Sequence, residues 1–139
     1  MIVNGHQPHI LRDIIAGKDV GTLFISSGTK KDMRRKWIAF SATRSGSVVV
    51  DVGAQQALLA KKSLLPGGVV KIKGVFDAGD VVELEAWDGK VLGRGVVHYG
   101  SRDLIRIAGK KTGEIAAILG KKASDEVVHR NDLLIWGER

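Results

Sequence analysis

Val81-Val82-Glu83-Leu84-Glu85-Ala86-Trp87-Asp88-Gly89-Lys90-Val91-Leu92-Gly93-Arg94-Gly95-Val96 is the stretch that decides the fold. Apolar residues alternate with Glu83 and Glu85 over Val81–Trp87, the period of a strand with one buried face. Asp88-Gly89 follows, a strong hairpin signal because a two-residue turn of this kind needs positive φ at both positions. The return strand runs over Lys90–Tyr99. Inside it, Gly93-Arg94-Gly95 lacks the strand-then-helix setting of a phosphate-binding loop, so it reads as a bulge or a close approach by another backbone.

Upstream, Val48-Val49-Val50 is a strand and Asp51 leads into a helix over about Gly53–Lys61. Lys62-Ser63-Leu64-Leu65-Pro66-Gly67-Gly68 is a turn-rich loop, Val69–Phe76 another strand, and Asp77-Ala78-Gly79-Asp80 a turn. Downstream, Ser101 is the N-cap candidate of a helix with Asp103 in its first turn, ending before Gly109. Glu114–Leu119 is a second short helix stopped by Gly120. Val127-Val128-His129 and Leu133-Leu134-Ile135-Trp136 read as one interrupted strand. Short strands, hairpin turns and few helices imply a small β-barrel with helices at its edge.

The first 25 residues fit that plan poorly. Ile10, Leu11, Ile14 and Ile15 share one helical face, Gly17 is a stop, and Val20–Ile25 reads as a short buried strand. Strong apolar faces without partners make residues 1–25 the last pieces of another domain. They are expected to be disordered, or to pack on a neighbouring chain or on the barrel.

The chain has 139 residues, enough for one ordinary domain of roughly 100–150 residues and a short tail. Apolar residues are 44% and charged residues 27%, which excludes collagen-like, coiled-coil and wholly disordered readings. No apolar run approaches the roughly 18 residues that cross a membrane. Without cysteine there is no disulfide framework, thiolate zinc site or cysteine nucleophile, and the chain reads as a soluble domain of the cytoplasm. Of the net charge of +7, residues 26–46 supply most, with Lys30, Lys31, Arg34, Arg35, Lys36 and Arg44 against Asp32 alone. A solvated linker over residues 26–36 and a phosphate-contacting patch give the same counts, and the linker is the simpler reading.

Catalytic signals are sparse. His6 and His9 form an H-x-x-H pair in a loop without a third ligand, which is more simply two surface histidines. His98 and His129 stand alone on strands, with no serine or aspartate paired to them in sequence. None of the 18 glycines falls in a nucleotide-binding fingerprint, and the acidic residues are scattered singly. Nucleic-acid contact needs phosphate-binding cations with stacking or base-edge donors. Lys61 and Lys62 beside the Pro66-Gly67-Gly68 loop, Lys71 and Lys73 on the next strand, and Arg94 and Tyr99 after the hairpin are the candidates for a basic groove. Glu83, Glu85 and Asp88 would neutralise such a groove, so a solvated face is the competing reading.

Lys36-Trp37-Ile38-Ala39, Val50-Asp51-Val52-Gly53-Ala54 and Lys62-Ser63-Leu64-Leu65-Pro66-Gly67-Gly68-Val69 come in an order that resembles the C-terminal part of bacterial glutamate 5-kinases. The resemblance continues through Gly79-Asp80-Val81-Val82, Arg106-Ile107-Ala108-Gly109 and Glu114–Gly120 to Val128-His129-Arg130-Asn131-Asp132, nearly the whole chain. It implies a mainly β, α+β fold: a PUA-type pseudo-barrel over residues 37–139 with its tail. Residues 1–25, closing on Gly21-Thr22-Leu23-Phe24, would be a remnant of an amino-acid kinase domain, and residues 26–36 the basic linker. The parent would transfer the γ-phosphoryl group of ATP, with Mg²⁺, to the side-chain carboxylate of L-glutamate in proline synthesis, under proline feedback. The elements for that chemistry lie upstream in the family, so no catalytic residue, metal ligand or cofactor is expected in this chain. The partners implied are the kinase domain of the parent chain, further copies in a homo-oligomer, and RNA, which PUA relatives bind; no membrane is implied.

Overall fold

The computed structural model describes residues 2–22, 28–41 and 46–136. In chain order the elements are α1 (Ile10–Ile15), α2 (Lys30–Phe40), β1 (Gly46–Val50), α3 (Val52–Leu59), β2 (Val69–Gly74), β3 (Val81–Ala86), β4 (Val91–Val96), α4 (Ser101–Ile107), α5 (Ile115–Leu119) and β5 (Leu133–Ile135). Short 3-10 turns lie at Pro66–Gly68, Thr112–Glu114 and Arg130–Asp132. The strands form one mixed sheet in the order β2-β1-β3-β4-β5, with β1 parallel to β3 and every other pair antiparallel.

The hairpin forms at Asp88-Gly89, but not as the two-residue turn: the loop is Trp87-Asp88-Gly89, and only Gly89 takes a positive φ. Gly89 takes φ 86°, its N–H donates to the Ala86 carbonyl, and Ala86 N–H donates to Lys90. One face of the sheet carries the core, where Val48, Val50, Val82, Leu84, Ala86 and Leu92 meet Leu58, Leu104, Ile107 and Ile115. The segments ahead of the two edge strands meet in an isolated bridge between Leu64 and Val128. His98 N–H donates to the Val127 carbonyl, so these segments begin to close the sheet toward a barrel.

On the opposite face, register places Lys73, Ser47, Glu83, Arg94 and Leu134 in one row across all five strands. Helix α2 lies over the β5 end of that row. Its fully buried Ile38 packs with Val81, Val96 and the partly buried Leu134. The basic stretch is therefore not a free linker from residue 30 onward. Thr29 accepts from Asp32 N–H and Asp32 accepts from Thr29 N–H, a reciprocal cap that starts a helix of 11 residues.

Three other expectations are corrected. Ser101 is not the cap of α4, which starts after Gly100; its buried hydroxyl accepts from Phe76 N–H at 3.3 Å. Val127–His129 and Leu133–Trp136 do not form one strand, since Val128 bridges Leu64 while β5 pairs with β4. Helix α1 forms and Gly17 ends it with φ 72°, but of its apolar face only Ile10 is buried and Ile14 half-buried, while Leu11 and Ile15 are 73% and 87% exposed. Thr22 makes an isolated bridge with Ile2, and the rest of the strand expected there, Leu23–Ile25, lies outside the described residues.

Gly93 and Gly95 mark close approaches, as their place in the strand implied. A Cβ on Gly93 would fall 2.1 Å from the Leu134 carbonyl oxygen, and one on Gly95 would fall 2.6 Å from a Val128 methyl. The first obstacle is backbone and cannot swing away. Gly93→Ala is therefore expected to cost about 1–3 kcal/mol in denaturant unfolding. Gly113→Ala, with nothing within 4 Å of its added methyl, should change stability by less than about 0.5 kcal/mol.

Candidate nucleic-acid interface

Asp51 caps α3, accepting from Ala54 N–H at 2.7 Å. The other end of α3 closes by a double turn in which Lys61 N–H donates to Leu58 and Lys62 N–H to Ala57. Lys61 sits at φ 58°, the left-handed position where glycine is usual. Both lysines are exposed as the chain enters the Pro66–Gly68 turn. Gly68 lies against α3, where a Cβ would fall 2.4 Å from the Ala54 methyl. Between α3 and this loop runs an open groove of about 340 Å³, lined among others by Ala54, Ala57, Leu65 and Gly67. Small side chains and an exposed Gly67 leave main chain within reach of a ligand.

Lys71 and Lys73 project from the outer face of β2, two residues apart and both exposed. Lys73 donates to Glu85 at 2.6 Å. Bonding from Lys73, then from Ser47, holds the Glu85 carboxyl below its ordinary range.

The other two candidates are used inside the fold. The Arg94 guanidinium donates to the Ala39 carbonyl at 2.8 Å, approaches Ser41 O at 3.4 Å and Glu83 at 3.7 Å, and lies 6.0 Å from the Trp136 ring centre. Tyr99 is 3% exposed; its hydroxyl donates to the Ser124 carbonyl and accepts from Ser124 N–H. The six residues thus do not make one groove. Lys62 borders the loop, Lys71 and Lys73 share a sheet face, and Lys61 joins Arg35 and Arg130 around a separate cleft beside β5.

His98 is not alone. Its Nδ1 lies 2.9 Å from Ser124 Oγ and its Nε2 lies 3.6 Å from Asp132, which also takes Arg34 Nε at 2.6 Å. Ser124 Oγ accepts from Glu126 N–H as well, so this serine, histidine and aspartate pin the 124–132 segment to the chain just after β4 and to α2. His129 Nδ1 accepts from Asn131 N–H. His6 and His9 are exposed, and no group of three or more His, Cys, Asp or Glu suited to a metal occurs among the described residues. No helix among them is long and apolar enough to cross a membrane.

The PUA domain family matches residues 46–119, from the first residue of β1 to the last of α5. The chain belongs to the PUA domain family. Around this PUA domain, similarity extends to curated proteins end to end. The chain is 42% identical over 136 residues to the glutamate 5-kinase of Geobacter sulfurreducens, covering 97% of the chain and 36% of that protein. It is 44% identical over 133 residues to that of Methanococcoides burtonii, covering 96% and 35%. It therefore spans about a third of the length of these relatives, in their C-terminal region. Among solved structures, a PUA domain from Aeropyrum pernix K1 matches with TM-score 0.47 and 31% identity, over 63% of this chain and 44% of that one. A conserved PUA domain protein from Thermoplasma acidophilum matches with TM-score 0.41 and 21% identity, over 62% and 48%.

The Lys73–Glu85 contact gives this face a pH signature. A carboxylate whose folded pKa is lowered adds stability above its unfolded pKa and loses it as pH falls through the folded value. Glu85→Gln should therefore cost up to about 1 kcal/mol near neutrality, given the half-exposed lysine, and the deficit should close as pH drops below about 4.5. Chemical denaturation of both proteins across that range reads the difference.

Proposed function

We propose that this PUA domain serves a glutamate 5-kinase as an accessory region of the enzyme. The observation that carries this is the extent of the likeness: 42% identity runs over 97% of the chain, well beyond the 46–119 span of the PUA domain itself. Helices α1 and α2 and the tail are thus shared with the kinases and are not a private addition. Such an enzyme moves the γ-phosphoryl group of ATP, with Mg²⁺, to the side-chain carboxylate of L-glutamate and forms glutamyl 5-phosphate. In this reading the chemistry belongs to an amino-acid kinase domain, and residues 1–25 are a remnant of its C-terminal end. The exposed Leu11 and Ile15 would be covered by the body of that domain. The PUA region acts on the kinase domain's activity, regulation or assembly, including assembly into a homo-oligomer. A coupled assay of the purified 139-residue chain with ATP, Mg²⁺ and L-glutamate should show no glutamate-dependent ADP formation; turnover above background would overturn the accessory reading.

A second reading, RNA binding, draws on the open groove beside Lys62 and on the exposed Lys71. RNA affinity would fall steeply with salt, and Lys62→Ala and Lys71→Ala would each lower the slope of log affinity against log salt by roughly one unit. Binding that ignores both salt and these substitutions would sink it.

A further inference from the structure

The cleft between α2 and the edge strand β5 holds about 130 Å³ and is lined by Arg35, Lys61, Arg130 and Leu133–Ile135. We propose that it is a binding site for a dianionic phosphate monoester group, inorganic phosphate being its smallest form. This goes beyond the accessory role and does not depend on it.

Three cations reach this cleft from segments far apart in sequence, each placed by its own constraint. Arg35 comes from α2, held down by buried Ile38 and by the Arg34–Asp132 ion pair. Lys61 comes from the left-handed closing turn of α3. Arg130 comes from a 3-10 turn whose own N–H donates to Ser63 Oγ at 3.0 Å.

None of the three forms an ion pair with a carboxylate among the described residues. Of the nearby acids, Asp132 pairs with Arg34 at 2.6 Å, Glu126 lies 3.8 Å from His129 and Asp32 accepts from Thr29 N–H. Asp32 keeps its charge and attracts Arg35 without an ion pair, while its hydrogen bonds go to the helix cap. Like charges around one concavity repel, and an entering anion relieves that repulsion.

The donor set also selects the anion. Two guanidinium groups offer planar forks and the lysine a point charge, which together match a tetrahedral oxyanion better than one flat carboxylate. Two negative charges answer three positive ones more fully than one does. The cleft, about 130 Å³ and open to solvent, has room for one phosphate group. Position 61 adds to the case: glycine there would avoid the left-handed strain, and lysine keeps a charge at that cost.

The test is an amide NMR titration of the 139-residue chain with inorganic phosphate, against sodium chloride at equal ionic strength. Saturable shifts at Arg35, Lys61 and Arg130 are expected with phosphate and not with chloride. The double variant Arg35→Gln, Arg130→Gln should bind about tenfold more weakly or worse. Lys61→Asn, which tolerates the same backbone, should weaken binding and leave the rest of the spectrum unchanged. Shifts equal to those of chloride, or binding that survives the double variant in a folded spectrum, would overturn the proposal. A 5′-phosphorylated oligoribonucleotide and its 5′-hydroxyl twin separate the sources. Displacement of phosphate by the first alone identifies a nucleic-acid end, and phosphate binding that neither disturbs identifies a small phosphate ligand.

Discussion

The guanidinium of Arg94 holds the outer face of this domain together. Helix α2 has no basic residue in its last turn to meet its open carbonyls and the negative end of its dipole. Arg94 supplies that charge from β4, donating to Ala39 while lying near Glu83 and the Trp136 ring. With 13% of its side chain exposed, removing it would leave the neighbouring polar groups poorly met in a largely dry place. The glycines on either side of it make room for β5 and Val128, which come in where side chains at 93 and 95 would stand. The docking of α2, and with it the placement of Arg35 over the β5 cleft, rests on this contact together with buried Ile38 and the Arg34–Asp132 ion pair.

That arrangement changes what the basic residues mean. As a linker, the charge of residues 26–46 would be a diffuse, solvent-screened cloud. On a docked helix most of it has fixed positions relative to α3 and the 130–132 turn, so cations from distant segments act together. Electrostatic complementarity to a ligand needs such fixed geometry more than it needs a high count of charges.

Much of the barrel was legible because its signals are local. Asp88-Gly89 between alternating segments, Asp51 ahead of a helix, and Gly120 after one each act within a few residues. The signal for α2 was also present, as Thr29 and Asp32 three apart, but a run of cations obscured it. The misses are long-range. Ser101 has the chemistry of a cap, yet its hydroxyl serves Phe76, 25 residues away. His98 finds Ser124 at a separation of 26 residues and Asp132 further still. Arg94 and Tyr99 are residue types that suit RNA contact equally well, and only the packing shows that one caps a helix while the other ties down a loop. Lys61 was found by type and charge, but its companions Arg35 and Arg130 belong to segments that sequence proximity does not join.

The small cluster under α2 is separate from the main core. Ile38, Val81 and Val96 form their own buried group, while 18 residues pack together on the other side of the sheet. Detaching α2 would expose the first group and leave the second intact, so the helix is a cooperative unit of its own with a lower opening free energy than the barrel. Amide exchange should then divide the molecule in two, with α2 trading hydrogen through partial openings and β1, β3 and β4 only through complete unfolding. An anion seated beside Arg35 would bind the docked form alone and slow the first process by mass action, with no effect on the contacts inside the barrel.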